Sequence, residues 1–237
     1  MVNKKFWLGI PVIVLVFGMT VIGCSSGSED DDIVSKETLN GKWETVGSEK
    51  STFEFTTDNV YVVEGSFGQP SRAATQVYTG KYTISDTIII LEGFGVIEVV
   101  SFSVEEFRFS LKLNNSNQTY NFQAVKKENT IASSSRTNLL CRNWKVVRVS
   151  DPGHNDAIGE GILFSRAGTY LVTHRSGTTA LAEWRWKNTE QTIFQYSWDH
   201  WGSFGDVQIQ DLTASSFKLV DYGDRQNSVT YELVLAD

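Results

Sequence analysis

Leu39-Asn40-Gly41-Lys42-Trp43 and Leu140-Cys141-Arg142-Asn143-Trp144 open two half-chains that repeat the same landmarks in the same order. Phe55 to Tyr61 in the first half corresponds to Phe164 to Tyr170 in the second, each a phenylalanine, a polar turn and a tyrosine. Gly80-Lys81-Tyr82 corresponds to Ala182-Glu183-Trp184, and Phe102-Ser103 to Phe107 corresponds to Leu212-Thr213 to Phe217. Tyr120-Asn121-Phe122 and Tyr231-Glu232-Leu233 close the two halves. Ordered landmarks at similar spacing imply an internal duplication. The chain must therefore solve one folding problem twice, at a length where a single core suffices. The expected domains are 38–127 and 138–237, joined by a polar linker at 128–137.

Each half is built of strands. Period-2 alternation runs through Thr52–Thr56, Val77–Ile84, Phe102–Leu113, Glu183–Lys187, Phe194–Trp198 and Tyr231–Leu235. Valine, isoleucine, threonine and aromatic residues dominate, as a half-buried pleated surface favours. No amphipathic stretch of helical period exceeds a turn or two. Roughly eight short strands per half, joined by turns of Gly, Asn, Asp or Ser, predict an up-and-down meander. Closure into a barrel would remove its exposed edges. The expected class is all-β, with two small antiparallel β-barrels in tandem. Ser103 and Thr213 begin tight turns in which their hydroxyls can accept from backbone N–H groups. Phe53, Phe55, Phe107 and Phe109 point inward and predict a filled centre in the first barrel.

These landmarks resemble the lipocalin-like domains of bacterial surface lipoproteins. The resemblance implies that Trp43, in its Gly-x-Trp setting, packs across the closed end of the first barrel. Trp144 takes that place in the second, although Arg142-Asn143-Trp144 lacks the glycine. Barrels of this kind are either filled by side chains or hold one small molecule.

The N-terminus carries a different message. Lys4 and Lys5, an apolar stretch from Phe6 to Ile22 and small Gly23 before Cys24 form a secretory leader. The cysteine after the cut resembles a lipobox, which implies cleavage between Gly23 and Cys24 and lipidation of Cys24. Residues 1–23 are then a signal peptide and 24–37 a flexible tether. Ser28-Glu29-Asp30-Asp31-Asp32 is either a solvated spacer or, by resemblance, the acidic export signal of many Bacteroidetes lipoproteins. The leader is also similar to those of spirochaete lipoproteins, so the phylum stays open. The expected location is the outer membrane of a diderm bacterium, facing the surface, with the lipid anchor as the membrane contact.

Composition narrows the partners. Loss of the leader removes two lysines and no acid, which takes the formal charge from −7 to −9. No basic run exists to hold a polyanion, so nucleic acid is not expected. With Cys24 lipidated, Cys141 is the only thiol, and it reads as a small buried hydrophobe.

No catalytic signature is present: no Gly-x-Ser-x-Gly elbow, no phosphate loop, no dinucleotide fingerprint. His154, His174 and His200 lack zinc-ligand spacing, so neither metal nor cofactor is expected. The richest constellation is aromatic. Trp184 and Trp186 share one face of a strand, Phe194, Tyr196 and Trp198 a face of the next, and Trp201 follows in a loop. Such rings are either core stabilisers or a platform for an apolar or carbohydrate ligand. Trp184, Trp186, Tyr196, Trp198 and Trp201 are therefore the candidate binding residues of a non-catalytic module. Packed barrels that dock an envelope protein are the alternative, and a hydrolase using Asp199 and His200 a weaker one.

Overall fold

The computed structural model of the protein describes residues 33–47, 50–67, 75–198, 201, 205–222 and 228–236. The leader, Gly23, Cys24 and most of the acidic tether lie outside them, as do Asp199 and His200. One compact unit, Asp31–Asp237, contains both barrels.

Strands β1 (Gly41–Thr45), β2 (Thr52–Phe55), β3 (Val60–Gly65), β4 (Gln76–Ser85), β5 (Ile88–Leu91), β6 (Gly95–Phe102), β7 (Glu106–Leu113) and β8 (Thr119–Lys126) pair antiparallel in sequence order. The first barrel closes where β1 meets β8, with Trp43 opposite Lys126. Its copy comprises β9 (Asn143–Val149), β10 (Gly161–Phe164), β11 (Thr169–Thr173), β12 (Thr179–Trp186), β13 (Ile193–Ser197), β14 (Gly205–Gln210), β15 (Ser216–Asp221) and β16 (Val229–Leu235). This barrel closes through β16 and β9. Two closed eight-stranded antiparallel barrels in tandem fit a lipocalin-like fold.

The copies agree down to individual hydrogen bonds. A short helix leads into each first strand, α1 (Lys36–Leu39) and α2 (Ser135–Leu140). Ser35 and Ser134 cap them by accepting from the Thr38 and Thr137 N–H groups. Trp43 and Trp144 are fully buried, and each indole N–H donates to the last helical carbonyl, Leu39 or Leu140, at 2.8 Å. Tyr82 and Trp184, at matching positions, donate to the Thr56 and Ser165 carbonyls of the same turn. In the hairpins after β6 and β14, Ser103 and Thr213 accept from the Glu106 and Ser216 N–H groups at 3.0 Å.

Residues 128–137, read from sequence as a linker, are mostly exposed but tied to the second barrel at Ile131 and Thr137. Ile131 is buried in the second core with its N–H on the Arg166 carbonyl, and Ser134 caps α2.

The barrels meet through equivalent strands. Val60 and Val62 on the outer face of β3 pack on Leu163 and Leu171 from β10 and β11. Beside them Glu54, 2% exposed, accepts from the Thr169 hydroxyl at 2.6 Å. Val62 and Leu171 occupy matching places, each following the landmark tyrosine. Each copy thus offers the same face to the other, as in a two-fold dimer interface.

Inside the first barrel the rings of Phe53, Phe55, Phe107 and Phe109 are buried, as the alternation predicts. Burial pushes the Tyr61 and Tyr82 phenols up to about 12, with nearby carboxylates adding to the shift. Below pH 10 both folded and unfolded chains keep these protons, and stability is unaffected. Above it the unfolded chain loses them first, so stability falls as pH rises towards 12, by roughly 1–3 kcal/mol per tyrosine. Denaturation midpoints between pH 9 and 12 should drop accordingly, and Tyr82→Phe should flatten part of that slope.

Candidate functional site

The meander gives each barrel a closed end, where the helix and its tryptophan sit, and a mouth opposite. At the first mouth the connection after β3 carries Phe67 over the axis. Its ring packs on Phe53, Phe94, Tyr78, Tyr120 and Phe122 at centroid distances of 5.4–6.2 Å. That mouth is plugged.

The second mouth is built differently. Its matching connection is the short turn 174–178, with Gly177 at φ +85, and it carries no aromatic ring. The register places Ala180 where the first barrel has Tyr78, since Tyr61 pairs with Gly80 and Tyr170 with Ala182. The missing rings leave a cavity of about 150 Å³. Val146, Ile162, Val172, Val207 and Leu219 form its apolar floor. Tyr170, Tyr196, Tyr231, Glu160 and Asp221 line the rest of it.

These lining positions follow from strand geometry. Phe217, Leu219 and Asp221 alternate along β15, so the inward row of that strand ends in a carboxylate at the mouth. Tyr231 is the inward partner of Leu219. Tyr196 lies opposite Gly205, and a Cβ at Gly205 would come within 2.6 Å of the phenol ring. Only glycine lets that ring lie over β14. Tyr170, Tyr196 and Trp198 form one cluster, with centroids 5.5–5.8 Å apart.

Burial, with the Asp221 charge adding to it, pushes the Tyr196 phenol up from its ordinary value. Tyr170 and Tyr231 shift the same way, again chiefly through burial, with Asp221 and Glu160 among the contributing charges. All three phenols thus stay neutral. His174 Nδ1 lies 2.6 Å from Glu160 Oε1 beside the cavity.

The five aromatic residues singled out from sequence do not form one surface. Trp184 is 1% exposed, in the core near the closed end, with its ring against Phe164 and Phe194. Trp186 sits at that end too, its indole N–H donating to the Thr137 hydroxyl of α2. Tyr196 lines the cavity, whereas Trp198, 46% exposed, packs on Tyr170 and Tyr196 without lining it. Trp201 lies on the outer wall, stacked 4.1 Å from the Arg185 guanidinium and donating to Glu183. Period-2 reasoning assigns a ring to a face but not to a height along the barrel axis. The structure brings Tyr196 and Trp198 together, and places Trp184 and Trp186 at the closed end and Trp201 against Arg185. Tyr170, Tyr231, Glu160 and Asp221 also line the cavity and were not singled out from the sequence. The row Phe217-x-Leu219-x-Asp221 was the available signal; Glu160, in an irregular segment, offered none.

Among the described residues no group of acids, histidines and cysteines could hold a metal ion. His154 faces Asp151 at 3.3 Å on the surface. Burial pushes the half-buried Cys141 thiol up to about 12, the opposite of what a nucleophile requires. No helix among the described residues is long and apolar enough to cross a membrane. The chain matches no protein-family model and no curated protein.

Proposed function

We propose that this protein is a non-catalytic binding module, anchored to the envelope of a diderm bacterium through lipidated Cys24. Its second barrel would take a small, largely apolar ligand, or the terminal group of a glycan, at the mouth. The observation that carries this reading is the contrast between the copies. One duplicated barrel has its mouth plugged by Phe67, while the other keeps a 150 Å³ cavity walled by three tyrosines. A cavity of that size suits a benzene-sized group, well below the volume of a typical drug-sized pocket. The filled first barrel favours a second role alongside, as a spacer or a face for an envelope protein partner. The anchor rests on the leader and lipobox pattern. The hydrolase alternative rests on Asp199 and His200, which lie outside the described residues.

Native mass spectrometry of the full chain, purified from its membrane after exposure to cell extract and growth medium, tests both parts. The expected mass lacks residues 1–23, carries acyl chains on Cys24 and includes a small ligand. Tyr196→Ala and Trp198→Ala are expected to weaken that ligand about tenfold together, the first by removing a lining ring and the second by removing the ring that packs on Tyr170 and Tyr196. Trp201→Ala, on the outer wall, should leave it within twofold. An unchanged affinity in the Tyr196→Ala, Trp198→Ala protein would remove the mouth from consideration, and a bare acylated chain would favour the docking role.

A further inference from the structure

Resting on that reading of the mouth, we propose that the second barrel selects a neutral, largely apolar molecule bearing an oxygen acceptor of the carbonyl or ether kind, bonded by the hydroxyls of Tyr170, Tyr196 and Tyr231. The chain has eight tyrosines, and five of them satisfy their hydroxyls within the protein. Tyr61 and Tyr82 donate to the Glu92 and Thr56 carbonyls at 2.7 and 2.8 Å. Tyr78, Tyr120 and Tyr222 donate to the side-chain oxygens of Gln76, Gln118 and Gln208. The remaining three hydroxyls have no hydrogen-bond partner among the described residues, and all three tyrosines line this one cavity. The contrast is sharpest at a matched pair: Tyr61 is tied to the Glu92 carbonyl, and Tyr170 in the second copy has no such tie.

These hydroxyls open onto the cavity. Tyr170 is only 8% exposed, yet among the described residues the fully buried side-chain atoms without a partner are Asn59 Oδ1 and Arg166 Nε. The Tyr170 oxygen is therefore not sealed in the core, and the open space this residue lines is the cavity. A Cβ at Gly205 would lie 2.8 Å from the Tyr196 oxygen, which fixes that phenol end over β14, two residues from Val207 of the floor. Tyr231 faces inward opposite Leu219, with its oxygen in reach of the Asp221 and Glu160 charges that line the same cavity. Filling this space with a purely apolar group takes water from the donors and returns nothing, which costs free energy for each bond left unmade. An oxygen acceptor restores those bonds, and a site built around hydrogen-bonding groups rejects analogues that lack the partner. Glu160 already holds His174 at 2.6 Å and Asp221 has an interaction of its own, so neither calls for a cation. Their negative charge opposes a carboxylate, which leaves a neutral acceptor, with the aliphatic floor taking the rest of the molecule.

Cyclopentanone and methylenecyclopentane, alike in shape and different in the acceptor, test this by chemical-shift titration of the full chain in a non-ionic detergent. Each has about the bulk of a benzene ring, which a cavity near 150 Å³ accommodates. The ratio of the two affinities is compared between the wild type and the Tyr196→Phe, Tyr231→Phe protein, so that partition into detergent cancels. Both substitutions keep the ring and remove only the hydroxyl, and an unchanged circular dichroism spectrum checks the fold. The preference for the ketone is expected to be about fivefold or more stronger in the wild type, because the variant loses bonds to the ketone and no longer strands donors against the hydrocarbon. A smaller difference overturns the acceptor assignment and leaves the mouth as a binding site. Binding of neither probe, nor of benzene, overturns both readings. Tighter binding of cyclopentanecarboxylate than of cyclopentanone overturns the choice of a neutral group.

Discussion

Trp144→Ala is expected to destabilise the second barrel by about 3–5 kcal/mol, the range for removing a buried tryptophan from a packed core. The indole is fully buried and meets Phe217 edge-on at 4.7 Å, so truncation leaves a void at the closed end. Its N–H also joins α2 to the barrel through the Leu140 carbonyl, and that tie is lost with the ring. Trp43→Ala should do the same to the first barrel, where the ring packs on Phe102 and Phe107 at 5.5 Å. By contrast, Trp198→Ala, which removes a half-exposed ring, should cost no more than about 1 kcal/mol. Urea denaturation followed by circular dichroism gives all three values. A loss below about 1.5 kcal/mol for Trp144→Ala would mean that the tryptophan does not organise this end of the barrel.

The two tryptophans also show how far sequence carries. Their matching distance from Leu39 and Leu140 exposed the duplication, and each leucine carbonyl proves to be the acceptor for its tryptophan. Strand number and closure followed from alternation, because period 2 sorts every side chain to one of two faces. α1 and α2 were not visible, since one or two turns carry too little periodicity to register. The plug at Phe67 was hidden for a related reason: it lies in an irregular connection, where no period says which way a ring points. The site was legible only in part. Tyr196 and Trp198 were read as rings on one face of their strand, together with Phe194. Trp184 and Trp186 were grouped with them because alternation has no coordinate along the barrel axis. The cavity itself arises from absences relative to the first copy, Ala180 for Tyr78 and a short turn for a long connection. Comparing the halves residue by residue would have revealed both.

Val62→Asp is expected to separate the barrels while leaving each folded. Val62 is 3% exposed, but its side chain points away from its own core and into the patch shared with Leu163 and Leu171. A carboxylate there would be desolvated without a partner, at an effective cost of several kcal/mol. Glu54 is already buried nearby, so the new charge would also face a like one. Opening the interface relieves the strain at the loss of the small apolar patch, the Glu54–Thr169 bond and the bond from the Asn143 N–H to Asp58 Oδ2. Each barrel keeps its own core and its own closing strand pair, so neither needs the other to complete a sheet. Small-angle scattering should show a larger radius of gyration, and denaturation should resolve into two transitions where the wild type gives one. Val62→Ala, which removes packing without adding charge, should stay compact and lose about 1–2 kcal/mol. If Val62→Asp stays compact with one unshifted transition, the apolar patch does not bind the barrels together, and the polar bonds of Asp58 and of the Val77 carbonyl carry the coupling with segment 128–137.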